Sequence, residues 1–191
     1  DAQPLHGEIE YERKVLERRV APAGIMYDGF KMQNILRELI QERSMRNIHI
    51  AFTSRLFGTF DTSDGRYHAR VIICGYPSLI STTGITEAPA MPREFYRLKQ
   101  RYVMLGIPPD ALREKFKGRF IDYDDPRLTE VMKGYVMQAI FYHFGEPFCT
   151  EKYCRLYNAH WQEEVLEAQL RPPEFCDRHE KMLGRIANKK V

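Results

Sequence analysis

Three of the four cysteines in this 191-residue chain lie in its last quarter, and their spacing limits the possible folds more than any other feature. They read Cys149-x4-Cys154, then 21 residues, then Cys176-x2-His179. Two close pairs of soft ligands, far apart in sequence, suit a closed tetrahedral zinc site, because each pair clips one side of the ion. In a tight turn or a first helical turn, Cys-x2-His brings its donors within about 3–4 Å, roughly the edge of such a tetrahedron. The competing view is that these are packed thiols, since a free cysteine behaves as a small hydrophobe. Clustering with a histidine favours the metal. Four protein ligands leave no open position, so Cys149, Cys154, Cys176 and His179 are expected to hold one structural zinc ion that does no chemistry.

The remaining sequence has to build a fold around that staple. A hydrophobic content of 43% with 12% aromatics is enough for a real core and excludes a disordered chain. A net charge of +3 is too small to imply a nucleic-acid partner by itself. No apolar run approaches the roughly 18–20 residues of a membrane span, and the charged N-terminal stretch does not look like a secretory signal. Cys74 has no obvious partner and the other three cysteines suit metal better than disulfides, so a soluble, cytoplasmic protein in a reducing compartment is expected. The length fits one domain over 1–191, with 1–10 a loose arm and 145–191 the zinc-stapled part.

Hydrophobic periodicity supplies the elements. Tyr11–Val20 reads equally as strand or helix, ahead of punctuation by Pro22 and Gly24. Met32, Ile35, Leu36, Leu39 and Ile40 mark an amphipathic helix over Asp28–Ser44 with Asp28 as its cap. Strands are predicted at Ile48–Thr53, within Ser54–Gly65, over Tyr67–Gly75 and over Leu79–Thr86, with Asp64-Gly65 turning a hairpin. Helices follow from Pro92, over Pro109–Phe116, over Leu128–Phe144 behind Asp125-Pro126, from an Asn158 cap through Leu166, and from Cys176 onward. A leading helix, a run of strands and then mainly helices make an α+β chain.

Catalytic signatures are absent from the string. There is no His-Glu-x-x-His, which would set two imidazoles at i and i+4 beside a glutamate base. Gly-x-Ser-x-Gly, a Walker loop and Gly-x-Gly-x-x-Gly are missing too. His160 and Glu164, four apart on one helix face beside Glu163, could grip a metal, although a surface histidine among solvated carboxylates explains them as well. His143, a cation at a helix end, and His68, on a strand, read as structural or surface residues. Glu87 is an isolated loop acid, and Cys74 a packed strand thiol.

Phe144-Gly145-x3-Cys149-x4-Cys154, followed by Phe175-Cys176-x2-His179, resembles the C-terminal half of the archaemetzincins, cytosolic and mostly archaeal zinc metallopeptidases of the metzincin clan. The motif-level resemblance covers about residues 130–185. It implies a zincin-like α/β arrangement: a mixed, mainly parallel twisted sheet with an edge strand, packed by helices, plus the zinc-stapled helical part. It also implies that the closing cluster is the family's second, structural zinc site, with His179 in place of a fourth cysteine.

Aligned on Gly145 and Cys149, the family's first two histidine positions hold Gln138 and Tyr142. The catalytic glutamate position holds Ala139, the third histidine Phe148, and the Met-turn methionine Leu156. Three ligands and a base are what a hydrolytic zinc needs, and none is present. The resemblance therefore implies a degenerate peptidase scaffold that binds a peptide or protein partner in its old cleft. Two other functions remain open: a hydrolase with a displaced site at His160 and Glu164, drawing on His68 or His143, and a zinc-stabilised nucleic-acid module using Arg185, Lys189 and Lys190.

Overall fold

A computed structural model describes residues 5–17, 24–44 and 46–188 of the chain. Its first element, α1 (His6–Leu16), occupies much of the stretch expected to be a loose arm and settles the choice over Tyr11–Val20 in favour of helix as far as Leu16. The Glu8 carboxylate accepts the Leu5 N–H at 2.7 Å, Arg13 pairs with Glu10 and Glu17, and Val15 is buried. An acid in the first turn and i,i+3 or i,i+4 ion pairs both favour a short helix. Residues 1–4, Val20 and Pro22 lie outside the described residues.

After β1 (Met26–Asp28), Asp28 caps α2 (Gly29–Glu38) as predicted, its Oδ1 accepting the Lys31 N–H at 2.9 Å. The helix stops six residues short of Ser44, and only part of its apolar stripe is used. Met32 and Leu36 pack on Phe57, Ile73 and Leu79, while Ile35 and Leu39 are exposed. Gln33 is buried instead and donates to the Pro77 carbonyl at 2.8 Å.

Among the described residues, six strands form two three-stranded sheets rather than one mainly parallel sheet. In the first, β3 (Leu56–Asp61) lies between β1, its parallel neighbour, and β4 (Arg66–Arg70), its antiparallel one. In the second, β6 (Ser78–Ser81) lies between parallel β2 (Ile50–Thr53) and antiparallel β5 (Ile72–Ile73). The Asp64-Gly65 turn does close a hairpin, with Gly65 at φ +69°. Tyr67–Gly75, expected as one strand, instead crosses from sheet to sheet at Val71, which enters the core and whose carbonyl accepts the Ser81 N–H at 2.8 Å.

The predicted strand over Leu79–Thr86 breaks at Ser81 and continues as α3 (Thr82–Glu87). Ser81 explains the switch. Its Oγ accepts the Gly84 N–H at 2.7 Å and donates to the Arg55 carbonyl at 2.8 Å, so a cap overrides the β preference of Thr82, Thr83, Ile85 and Thr86. Gly84 also sits against Arg70, whose carbonyl oxygen would lie 2.5 Å from any Cβ placed there.

The later helices follow the sequence closely: α4 (Arg93–Met104), α5 (Pro109–Lys115), α6 (Leu128–His143), α7 (Gln162–Leu170) and α8 (Asp177–Asn188). Asn158 is not the cap of α7. Glu164 takes that role, its Oε2 accepting the N–H groups of His160 at 3.0 Å and Trp161 at 3.2 Å. The central helix is α6, whose Val131 and Tyr135 pack with Val71, Ile80, Ile85, Ile121 and Val165. No helix among the described residues is long and apolar enough to cross a membrane.

Candidate metal centre

Gly145, at φ +80°, ends α6. Its N–H reaches the Tyr142 carbonyl at 2.9 Å and the Glu146 N–H reaches Phe141 at 3.0 Å, the paired bonds of a Schellman turn. That reversal sends the chain into a loop in which Cys149 N–H bonds the Leu156 carbonyl at 2.9 Å and Cys154 N–H bonds Glu151 at 3.1 Å. The second pair of donors belongs to the start of α8. Glu180 N–H bonds the Cys176 carbonyl at 2.9 Å, which puts Cys176 just outside the helix and His179 in its first turn.

The four predicted ligands come together. All four donor atoms lie within 4.8 Å of one another. Cys149 Sγ is 3.8 Å from Cys176 Sγ, while His179 Nδ1 is 3.5 Å from Cys154 Sγ and 3.1 Å from Cys176 Sγ. Metal–ligand bonds of about 2.3 Å to sulfur and 2.0–2.1 Å to nitrogen give tetrahedron edges of about 3.8 Å for S–S and about 3.5 Å for S–N. The cluster is within a few tenths of an ångström of those edges where it is measured. Cys154, Cys176 and His179 are buried and Cys149 half-buried, packed beneath Phe141, Leu156 and Phe175.

The surroundings aim these donors. Glu146 Oε1 lies 3.3 Å from His179 Nε2, so a carboxylate on the outer ring nitrogen directs Nδ1 inward, as in many metal-bound histidines. Glu146 also pairs with Arg178. The Glu151 N–H points at Cys149 Sγ from 3.3 Å, a donor that favours thiolate. Burial works the other way, pushing the Cys149 thiol up to about 12 and the Cys154 thiol upward as well. A cation between Cys149 and Cys154 would offset that cost and favour their thiolates. Chemically, the set can hold a divalent metal with all four positions taken by protein.

The positions implied for a hydrolytic zinc look quite different. Gln138 is buried and its Nε2 donates to the carbonyls of Arg155 at 2.9 Å and Tyr157 at 3.1 Å, both in the metal loop. Ala139 is fully buried and offers no donor. Tyr142 and Phe148 are exposed. Leu156 is buried in the core beside Cys154.

A family described as a probable metallopeptidase family (DUF6775) matches residues 1–186. The chain belongs to that family. No curated protein and no solved structure matches it.

Membership in a metallopeptidase family makes the search for a second metal specific. Among the described residues, only two groups of three or more histidine, cysteine, aspartate or glutamate side chains have donors within 4.8 Å: the Cys3His cluster, and Asp61, Asp64 and His68 on the β3–β4 hairpin. Neither includes His160, Glu164 or His143. The Glu164 carboxylate is committed to capping α7 and to Lys152 at 3.1 Å. Burial draws its pKa up, but the His160 N–H and the Lys152 ammonium outweigh this and leave it lowered. The His160 ring is exposed. His143 stands edge-on to Phe144, and His68 Nε2 bonds Asp64 at 2.8 Å. Glu87 bonds the Tyr123 hydroxyl. Cys74 is a packed thiol pushed up to about 12 by burial. Arg185 lies on α8, but Lys189 and Lys190 fall outside the described residues.

Sequence reasoning missed Glu146 and the buried Arg155, which pairs with Glu130 and, at 3.2 Å, with Glu174. An acid directly after the helix-ending glycine was the available hint for Glu146. Arg155 carried no signal, because arginines are seldom buried.

Proposed function

We propose that this member of the metallopeptidase family is a zincin-like domain, related to the archaemetzincins, that keeps a structural zinc on Cys149, Cys154, Cys176 and His179 and binds a peptide or protein partner without cutting it. The observation that carries this reading is Gln138: where the resemblance expects a histidine ligand, its Nε2 donates to two carbonyls of the loop that carries Cys149 and Cys154, the work of a structural brace. A hydrolytic zinc also needs an acid one residue on, where Ala139 is sealed in the core. Exposed Tyr142 and Phe148 complete a surface suited to contact rather than to metal binding. Four free cysteines fit a reducing compartment, and the cytoplasm is the proposed location.

Metal analysis of purified protein, run beside a peptidase assay over a broad peptide library, tests this. One zinc per chain and no cleavage are expected. A second zinc lost on Tyr142→Phe, or cleavage that survives repurification and stops on adding a chelator, would defeat the reading.

A further inference from the structure

A second site lies on the other flank of α6. Tyr135 is only 3% exposed, and its hydroxyl has no hydrogen-bond partner among the described residues. An orphaned buried hydroxyl is costly, and native structures rarely leave one without something polar beside it. Tyr135 lines a small cavity of about 60 Å³ between the β4–β5 crossover, the residues after α3 and the residues before α7. Arg70, Asn158 and His160 are the other polar residues lining it, and no acid does. The Arg70 Nε donates to Thr59 Oγ1 at 2.9 Å; its guanidinium is in ion-pair contact with no carboxylate among the described residues, although, behind the Ser63 hydrogen bonds, its charge helps lower the pKa of Asp61 from a longer distance. Asn158 and His160 are exposed and mark the mouth.

The lining therefore combines a guanidinium with no carboxylate in ion-pair contact among the described residues, a buried hydroxyl donor and two polar side chains, in a space a few atoms wide. Burial pushes the Tyr135 phenol upward, so it stays protonated and remains a donor. Two nearby carbonyls already accept one bond each: Val71 from the Ser81 N–H and His160 from the Ala90 N–H. These features select a small monoanion over a cation or a neutral group.

We propose that Arg70, Tyr135, Asn158 and His160 form a pocket for one carboxylate, carried by an acidic side chain or by a chain end. The pocket stands whether or not the zinc-stapled reading holds, since none of its residues belongs to the Cys3His cluster.

The full chain, loaded with zinc, is titrated by NMR with acetate, acetamide and inorganic phosphate. N-acetylglycine and the methylamide of N-acetylaspartate then separate a chain end from a side chain. Saturable shifts centred on Arg70 and Tyr135 are expected with acetate and with one of the two peptide analogues, but not with acetamide. Tyr135→Phe keeps the ring and removes one charge-assisted hydrogen bond, which weakens acetate binding about tenfold or more. Because Tyr135 is buried, Arg70→Gln at a half-buried position serves as a second variant, and it abolishes saturation with zinc content unchanged. Equal binding of acetamide, preference for phosphate, no saturation, or acetate affinity unchanged in Tyr135→Phe would each overturn the assignment.

Discussion

Acid should expel the metal along a steep line that can be calculated. In the metal-free chain, burial pushes the Cys149 thiol up to about 12 and raises Cys154, so both are protonated at neutral pH. Zinc binds thiolate, so each of the three cysteines gives up a proton when the ion enters. If three protons leave, the apparent association constant scales as the inverse cube of the proton concentration, or about 1000-fold per pH unit. That is about 4 kcal/mol of metal-linked stability per pH unit at fixed free zinc, from about 1.36 kcal/mol for each proton. The sign follows from the raised thiols: binding strengthens as pH rises and fails as it falls. Competition against a chromophoric chelator at two pH values measures the slope, and calorimetry in buffers of different ionisation enthalpy counts the protons directly. A count of one or none would mean that the sulfurs do not hold the ion together, and would refute the four-ligand centre.

Three further outcomes test the scaffold. Gln138→Ala leaves a cavity and removes one bond each from the Arg155 and Tyr157 carbonyls, which keep their bonds from Gln169 and from the Ala159 N–H, so denaturant unfolding should show a loss of about 1–3 kcal/mol. Gly134→Ala would place a Cβ 1.5 Å from the Gln169 carboxamide and disturb its 3.1 Å bond to Arg155, destabilising by about 1–3 kcal/mol, whereas Gly184→Ala in α8 meets nothing within 4 Å and should stabilise by about 1 kcal/mol. Ser81→Ala removes both the α3 cap and the bond to Arg55, and thermal melting should report a cost of about 1–2 kcal/mol.

Much of the helical half was legible because its signals are local. Gly145 ends α6 in the left-handed turn its position predicts, and Cys-x2-His falls on a first helical turn as its spacing requires. The convergence of Cys149, Cys154, Cys176 and His179 was readable for the same reason: two short motifs each fix a pair of donors, and the fold has only to bring the pairs together. The sheets were harder. Tyr67–Gly75 is β-rich throughout, and nothing in its composition says that Val71 will turn into the core and divide the stretch between two sheets. At Ser81 one hydroxyl outweighs four β-favouring neighbours, because its acceptor and donor partners come from Gly84 and from distant Arg55. Ile35 and Leu39 obey the helical period yet face solvent, since periodicity identifies a face without saying how far the core extends along it. Gln138 was visible as a missing histidine, but its work on the loop carbonyls was not, because those partners lie 17 and 19 residues away.

The two bonds from Gln138 also fix the order in which the sequence can change. A neutral imidazole has a single N–H, so a histidine at this position cannot serve both carbonyls and point a lone pair at a metal. Placed there first, it would loosen the loop that carries Cys154 before any new ion could be held. A substitution that restored the loop would have to precede it, and that substitution alone would bring no metal. Position 138 is therefore entrenched: each single step away from glutamine costs stability before it can yield a ligand.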